Sequence, residues 1–101
     1  MVKVITDIFG REIRLDDGRW KHIITVHPEI ERYRKEVEET VSNPDKIKRS
    51  LYSNEVVIYY RQKVLNGKHM AVVIKVNDDK FVITAYMTDR IKEGEMIWQR
   101  S

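Results

Sequence analysis

Cysteine is missing from all 101 residues. Disulfides, thiol nucleophiles and cysteine-ligated zinc are excluded together. Only four glycines and two prolines occur. No linker rich in either can be drawn, and Pro28 and Pro44 read as punctuation between elements. No run approaches the roughly 18 apolar residues of a membrane-spanning helix, and no charged-then-apolar leader opens the chain. A cytoplasmic domain with no membrane partner is the expectation, and the length suits one domain over residues 1–101. Glycine-rich phosphate loops, a His-Glu-x-x-His pair and a serine elbow are also missing. His22 and His27 are five apart, on different sides of a regular helix, and no acidic cluster completes a ligand set. No metal and no cofactor are expected.

What is present is charge, 35% of residues, against 42% apolar, with a net formal charge of only +3. The distribution says more than the total. Residues 46–75 carry seven bases (Lys46, Lys48, Arg49, Arg61, Lys63, Lys68 and Lys75) and one acid, Glu55. Residues 29–45 carry six acids and three bases. A basic stretch beside an acidic one outlines an anion-binding face on a near-neutral domain.

Val2–Ile8 alternates and suits a short strand, which Phe9-Gly10 turns into a second at Arg11–Leu15. Asp16 or Asp17 suits the N-cap of a helix burying Trp20, Ile23 and Ile24, at i, i+3 and i+4. Pro28 stops that helix or begins the next. From Ile30, the residues Tyr33, Val37, Thr40 and Val41 line one side of a second helix that Asn43-Pro44 ends. The rest reads as β: Ile47–Tyr52, Glu55–Val64, His69–Asn77 and Lys80–Thr88, with short connections that favour an antiparallel meander. Ile91–Trp98 suits either a helical turn or an edge strand. The expected fold is α+β, with N-terminal helices on one face of an antiparallel sheet of about four strands and a short N-terminal hairpin.

Register decides which side chains share a face. A two-residue loop at Asp78-Asp79 pairs Val76 with Phe81, Ile74 with Ile83, Val72 with Ala85 and Met70 with Met87, all apolar. A two-residue loop at Asn66-Gly67 sets Arg61 against the buried Val72, so a three-residue loop, Leu65-Asn66-Gly67, is preferred. It pairs Tyr60 with Val72 and Ile58 with Ile74. The opposite, wet face then carries Tyr59, Arg61, Lys63, Lys75, Thr84, Tyr86 and Thr88. Single-stranded RNA is held by aromatic stacking on bases and by Lys or Arg on phosphates. Cleaving it without metal needs a proton-transfer group and positive charge near the phosphate, for which histidine and lysine serve. Each of these residues also has a purely structural use, as strand former or solubilising charge.

Five motifs occur in order: Trp20-Lys21-His22-Ile23, His27-Pro28-Glu29, Asn43-Pro44-Asp45 with Ile47, Ile83-Thr84-Ala85-Tyr86, and Lys92-Glu93-Gly94-Glu95 with Trp98. This series, over residues 17–98, resembles the phage-associated nuclease-like domains of the barnase–EndoU–colicin–RelE superfamily. The resemblance implies a RelE/barnase-like fold, N-terminal helices on about four antiparallel strands, and metal-independent RNA cleavage in a toxin or phage-related setting. It implies His22 and His27 as acid–base groups, Thr84 and Tyr86 on the substrate face, and Lys92 at the phosphate. Arg49, Tyr59, Arg61, Lys75 and Thr88 join as RNA-binding residues from charge and register alone. The expected partner is RNA, with or without a ribosome, and an acidic antitoxin or immunity protein. Two alternatives stay open: a non-catalytic RNA-binding module, and a protein-interaction domain of a toxin–antitoxin pair. A histidine within reach of the Thr84/Tyr86 face is what the catalytic reading requires.

Overall fold

The β1 strand (Val2–Thr6) and the β2 strand (Glu12–Asp16) form an antiparallel hairpin around Gly10, which has a positive φ of 81°. The computed structural model describes residues 1–101 throughout. Asp16 then caps helix α1 (Asp17–Val26), its carboxylate accepting from the Arg19 amide at 2.7 Å, which satisfies one of the orphan amides at the helix start. His27-Pro28 ends the helix, and a 3₁₀ segment, Pro28–Tyr33, leads into helix α2 (Arg34–Ser42). Along α2, Val37, Thr40 and Val41 are buried, and the Thr40 hydroxyl is satisfied by the Glu36 carbonyl at 2.7 Å. Five strands follow: β3 (Lys46–Arg49), β4 (Val56–Leu65), β5 (Lys68–Val76), β6 (Lys80–Thr88) and β7 (Met96–Gln99).

All seven strands join one sheet in the order β1-β2-β6-β5-β4-β3-β7, and β2 meets β6 in parallel at Arg14 and Phe81. This corrects the expected architecture. The sheet is mixed rather than antiparallel and has seven strands rather than about four. Two short helices pack on it, preceded by the hairpin that the sequence suggested. The α+β class holds; the RelE/barnase-like layout does not. The hairpin strands and β7 have four or five residues each, and they join the sheet through β6 and β3, partners far away in sequence. Local alternation carries almost no signal for such pairings.

Both helices cover one face of the sheet. Ile23, Val37 and Val41 meet Ile5, Ile13, Ile47, Val57, Tyr59, Met70, Val72, Ile74, Val82 and Ala85 in the main core. Ile58, Tyr60 and Ala71 form a second, smaller cluster with Val73, Tyr86 and Ile91. Those residues alternate with core residues along their strands, so they lie on the outer face. The β4–β5 hairpin turns on Asn66-Gly67, both with positive φ, and Leu65 pairs with Lys68. An irregularity between Arg61 and Leu65, with Lys63 at φ 55°, then shifts the pairing so that Tyr59 opposes Val72 and Tyr60 opposes Ala71. The two-residue turn rejected from the hydrophobic pattern is the one present. A one-residue difference in register exchanges the faces of β4.

On β5 and β6, Met70–Met87 and Val72–Ala85 pair as expected, but a bulge at Ile83 sets Ile74 against Val82 and Lys75 against Phe81. Val82 thus enters the core, while Thr84 and Tyr86 stay on the outer face. Because β7 lies beyond β3, the chain after β6 must cross the outer face to reach it. Residues 89–95 form that crossing strap: Ile91 packs on the second cluster and the Lys92 amide donates to the Tyr60 hydroxyl at 3.2 Å. Gly94 makes the crossing possible, since a Cβ there would stand 2.3 Å from the Arg49 carbonyl oxygen.

Candidate functional site

Tyr86 lies on β6, the strand against which α1 and the 3₁₀ segment pack, beyond the single point at Phe81 where β2 pairs with it. The junction between those two segments is His27, and its imidazole reaches the Tyr86 ring, with centroids 5.6 Å apart and planes tilted by 35°. His27 is held there by the chain on both sides. Its amide donates to the Ile23 carbonyl at 2.7 Å, its carbonyl accepts from Ile30 at 3.2 Å, and Pro28 fixes the following turn. Glu29 carries a carboxylate oxygen 3.6 Å from His27 Nδ1. From the strap, the Lys92 ammonium lies over the same Tyr86 ring, 5.6 Å from its centroid, a cation–π placement. One phenol ring therefore carries an imidazole and an ammonium together. Its own hydroxyl is buried and has no hydrogen-bond partner.

The expected wet face is covered in the middle, where the strap buries Ile58, Tyr60 and Ala71, and the sheet rows run beneath it from Tyr86 to β3. Gln99, Lys46, Tyr60, Ala71 and Tyr86 lie in one row, and Met96, Lys48, Ile58, Val73 and Thr84 in the next. Lys46 and Lys48 flank the buried Ile47, so alternation turns both outward. Lys46, Lys48, Arg90 and Lys92 make no ion pair. Burial raises the Tyr60 hydroxyl above its ordinary pKa, opposed by its hydrogen bond from the strap and helped by the nearby Tyr86, so Tyr60 is a neutral acceptor for the strap amide. Between the strap and the β3–β4 loop lies a cleft of about 650 Å³, with Leu51 and Tyr52 on the loop side, Ile58 below, and Arg90, Ile91, Lys92 and the acid Glu93 on the strap side.

The remaining expected site residues disperse. His22 is exposed on α1 and makes no hydrogen bond, ion pair or ring contact with the cluster. Thr84 is half-buried on the outer face next to Val73. Thr88 closes the end of β6, its hydroxyl accepting from the Arg90 amide at 3.1 Å. Lys75 shares the outer face but is drawn to Glu55 at 3.6 Å. Arg49 ties the strap down, bonded to Glu95 at 3.0 Å and to the Asn54 carbonyl at 2.8 Å. Arg61 lies on the helix side, opposite Met70, and donates to the Asn43 carbonyl at 2.9 Å.

Tyr59 requires a full correction. It is 0% exposed in the main core, where its hydroxyl donates to Asp7 and accepts from Arg11 Nη2 at 2.8 Å. Arg11 Nε also reaches Asp7 at 2.9 Å, and the amides of Phe9 and Arg11 donate to the same carboxylate at 3.0 and 2.8 Å. Burial, reinforced by the bond to Asp7, pushes the Tyr59 hydroxyl well above its ordinary pKa. This closed network pins the β1–β2 hairpin to β4, and no base can stack there. Lys46, Lys48 and Arg90 take the place that register had given to Arg61, while Tyr60 faces outward but is 0% exposed beneath the strap, so no base stacks on it either. The pattern Lys46-Ile47-Lys48 was the signal for the two lysines.

Comparison of the chain with protein-family models, with curated proteins and with solved structures gave no match.

Proposed function

We propose that this protein binds single-stranded RNA over the strap that crosses the outer face of its sheet and cleaves it without a metal ion at His27. The observation that carries this reading is the convergence of the His27 imidazole and the Lys92 ammonium on the Tyr86 ring. Lys46, Lys48 and Arg90, all without carboxylate partners, add positive charge on the strap and on β3 beside it. Unpaired cations beside aromatic rings suit a polyanion carrying π-faces.

In the proposed reaction His27 removes the proton of a 2′-hydroxyl, and the 2′-oxygen attacks the adjacent phosphorus. The bond to the 5′-oxygen breaks, a proton from solvent or from the imidazolium goes to that oxygen, and a 2′,3′-cyclic phosphate is left. Lys92 offsets the charge that grows on the phosphate oxygens. Tyr86 is a positioning residue. Its buried hydroxyl does not face substrate, and its ring holds the two working groups in place. The reading rests on this site and takes nothing from the fold that the family resemblance implied.

The test is incubation of the purified protein with single-stranded RNA in EDTA. Cleavage should give cyclic-phosphate ends and fall by about 10²–10⁴ in His27→Ala and about 10²-fold or more in Lys92→Ala. His22→Ala should cleave like the unaltered protein. RNA left intact, with or without ribosomes, overturns the catalytic part. Salt-dependent retention without turnover then identifies a binding module.

A further inference from the structure

The cleft between the strap and the β3–β4 loop holds an aromatic side chain with no structural duty. Tyr52 is 95% exposed and Leu51 68% exposed, although the loop that carries them is fastened at several points. The Arg49 guanidinium holds the Asn54 carbonyl at 2.8 Å, the Ser50 amide donates to the Val56 carbonyl at 2.8 Å, and the Tyr52 amide donates to the Ser50 hydroxyl at 3.1 Å. A tethered loop that presents a tyrosine to water, facing an apolar floor of Ile58 and Ile91, resembles half of a stacking sandwich. On the strap side Arg90 and Lys92, neither in an ion pair, stand with one acid, Glu93, so the net charge there is positive by one. The volume, about 650 Å³, is in the range of small-molecule pockets.

We infer that this cleft is a nucleotide subsite: a single nucleobase stacks on Tyr52 above Ile58 and Ile91, and its phosphate is held by Arg90. The inference rests on the ribonuclease reading for its place in the reaction. Lys92 borders the cleft and also overlies Tyr86, so a phosphodiester at His27 and Lys92 leaves the neighbouring nucleotide at Tyr52. A base offers a π-face whatever its identity, so stacking here tolerates sequence. An acidic peptide is the competing occupant. The opposed apolar floor and single exposed ring favour a flat aromatic ligand with one or two negative charges.

The experiment is fluorescence anisotropy with a labelled 2′-O-methyl tetra-adenylate, which lacks the free 2′-hydroxyl and cannot be cut. Tyr52→Ala should weaken binding at least about fivefold, and Tyr52→Phe should leave it nearly unchanged. Arg90→Ala should weaken binding and reduce the salt slope by about 0.7. The thermal midpoint of Tyr52→Ala should match that of the unaltered protein, because the ring is exposed. Binding to Tyr52→Ala as tight as to the unaltered protein overturns the subsite, as does Tyr52-dependent binding of a glutamate-rich peptide with no binding of the tetra-adenylate. The two readings fail separately. Tyr52-dependent binding with natural RNA left intact removes cleavage and keeps the subsite. RNA cleavage with a KM indifferent to Tyr52→Ala removes the subsite and keeps cleavage.

Discussion

Replacing Tyr59 by phenylalanine takes one hydroxyl from the core and leaves the ring in place. That hydroxyl donates to Asp7 Oδ2 and accepts from Arg11 Nη2 at 2.8 Å, while the Asp7 side chain is wholly inaccessible to solvent. A hydrogen bond to a charged group contributes about 1.5–3 kcal/mol. Asp7 keeps Arg11 Nε and two backbone amides in the variant, so the loss falls toward the lower end, about 2 kcal/mol. In a chain of this size that is roughly a 10 °C drop in Tm. Urea unfolding followed by tryptophan fluorescence reads it, since Trp20 and Trp98 both pack against the main core. A pH arm sharpens the test. The folded protein holds the Tyr59 proton above pH 10, where the unfolded chain releases its own. Stability from this group is complete below about pH 10 and falls as pH rises beyond it. Tyr59→Phe should flatten that alkaline fall. If the variant lies within about 0.5 kcal/mol of the unaltered protein and shows the same alkaline limb, Tyr59 is not in the core and the assigned β4 register is wrong.

Tyr86→Phe removes a buried hydroxyl with no partner, whose desolvation costs about 1–3 kcal/mol, so Tm should hold or rise and RNA cleavage should persist. Tyr86→Ala should lose both, and a hundredfold drop in cleavage for Tyr86→Phe contradicts the positioning role. Gly94→Ala forces a methyl against the Arg49 carbonyl, and overpacking of this kind costs about 1–3 kcal/mol; an unchanged thermal midpoint refutes the close crossing. Lys46→Ala with Lys48→Ala should cut the salt slope of single-stranded RNA binding by about 1.4, at 0.7 per phosphate contact. Arg61→Ala, on the helix side, should leave that slope unchanged, and the reverse result places RNA elsewhere.

Much of the layout was legible where one local signal governed one element. Asp16 capped α1, the spacing of Val37, Thr40 and Val41 gave the buried side of α2, and β-branched runs marked β4, β5 and β6. The register of β4 was not legible, for a physical reason. Alternation identifies a strand's inner face only when the other face is wet, and here the strap covers Ile58 and Tyr60. Both faces of β4 are therefore apolar, and the pattern fits either parity. The objection to Arg61 on the helix side also dissolves, because the Asn43 carbonyl gives its guanidinium a partner. In the candidate site, His27, Tyr86 and Lys92 could be named from motifs and lie together. Lys46, Lys48 and Tyr60 could not be placed, since their position depends on β3 lying between β4 and β7.

The most direct test is residue-resolved: titration of ¹⁵N-labelled His27→Ala protein, which should consume the ligand at least about a hundredfold more slowly, with single-stranded RNA while amide shifts are followed. The account predicts shifts at Lys46, Lys48, Tyr86, Arg90 and Lys92, with Lys35 and Glu39 on α2 unmoved. Shifts concentrated on α2, or none at saturating RNA and low salt, contradict it.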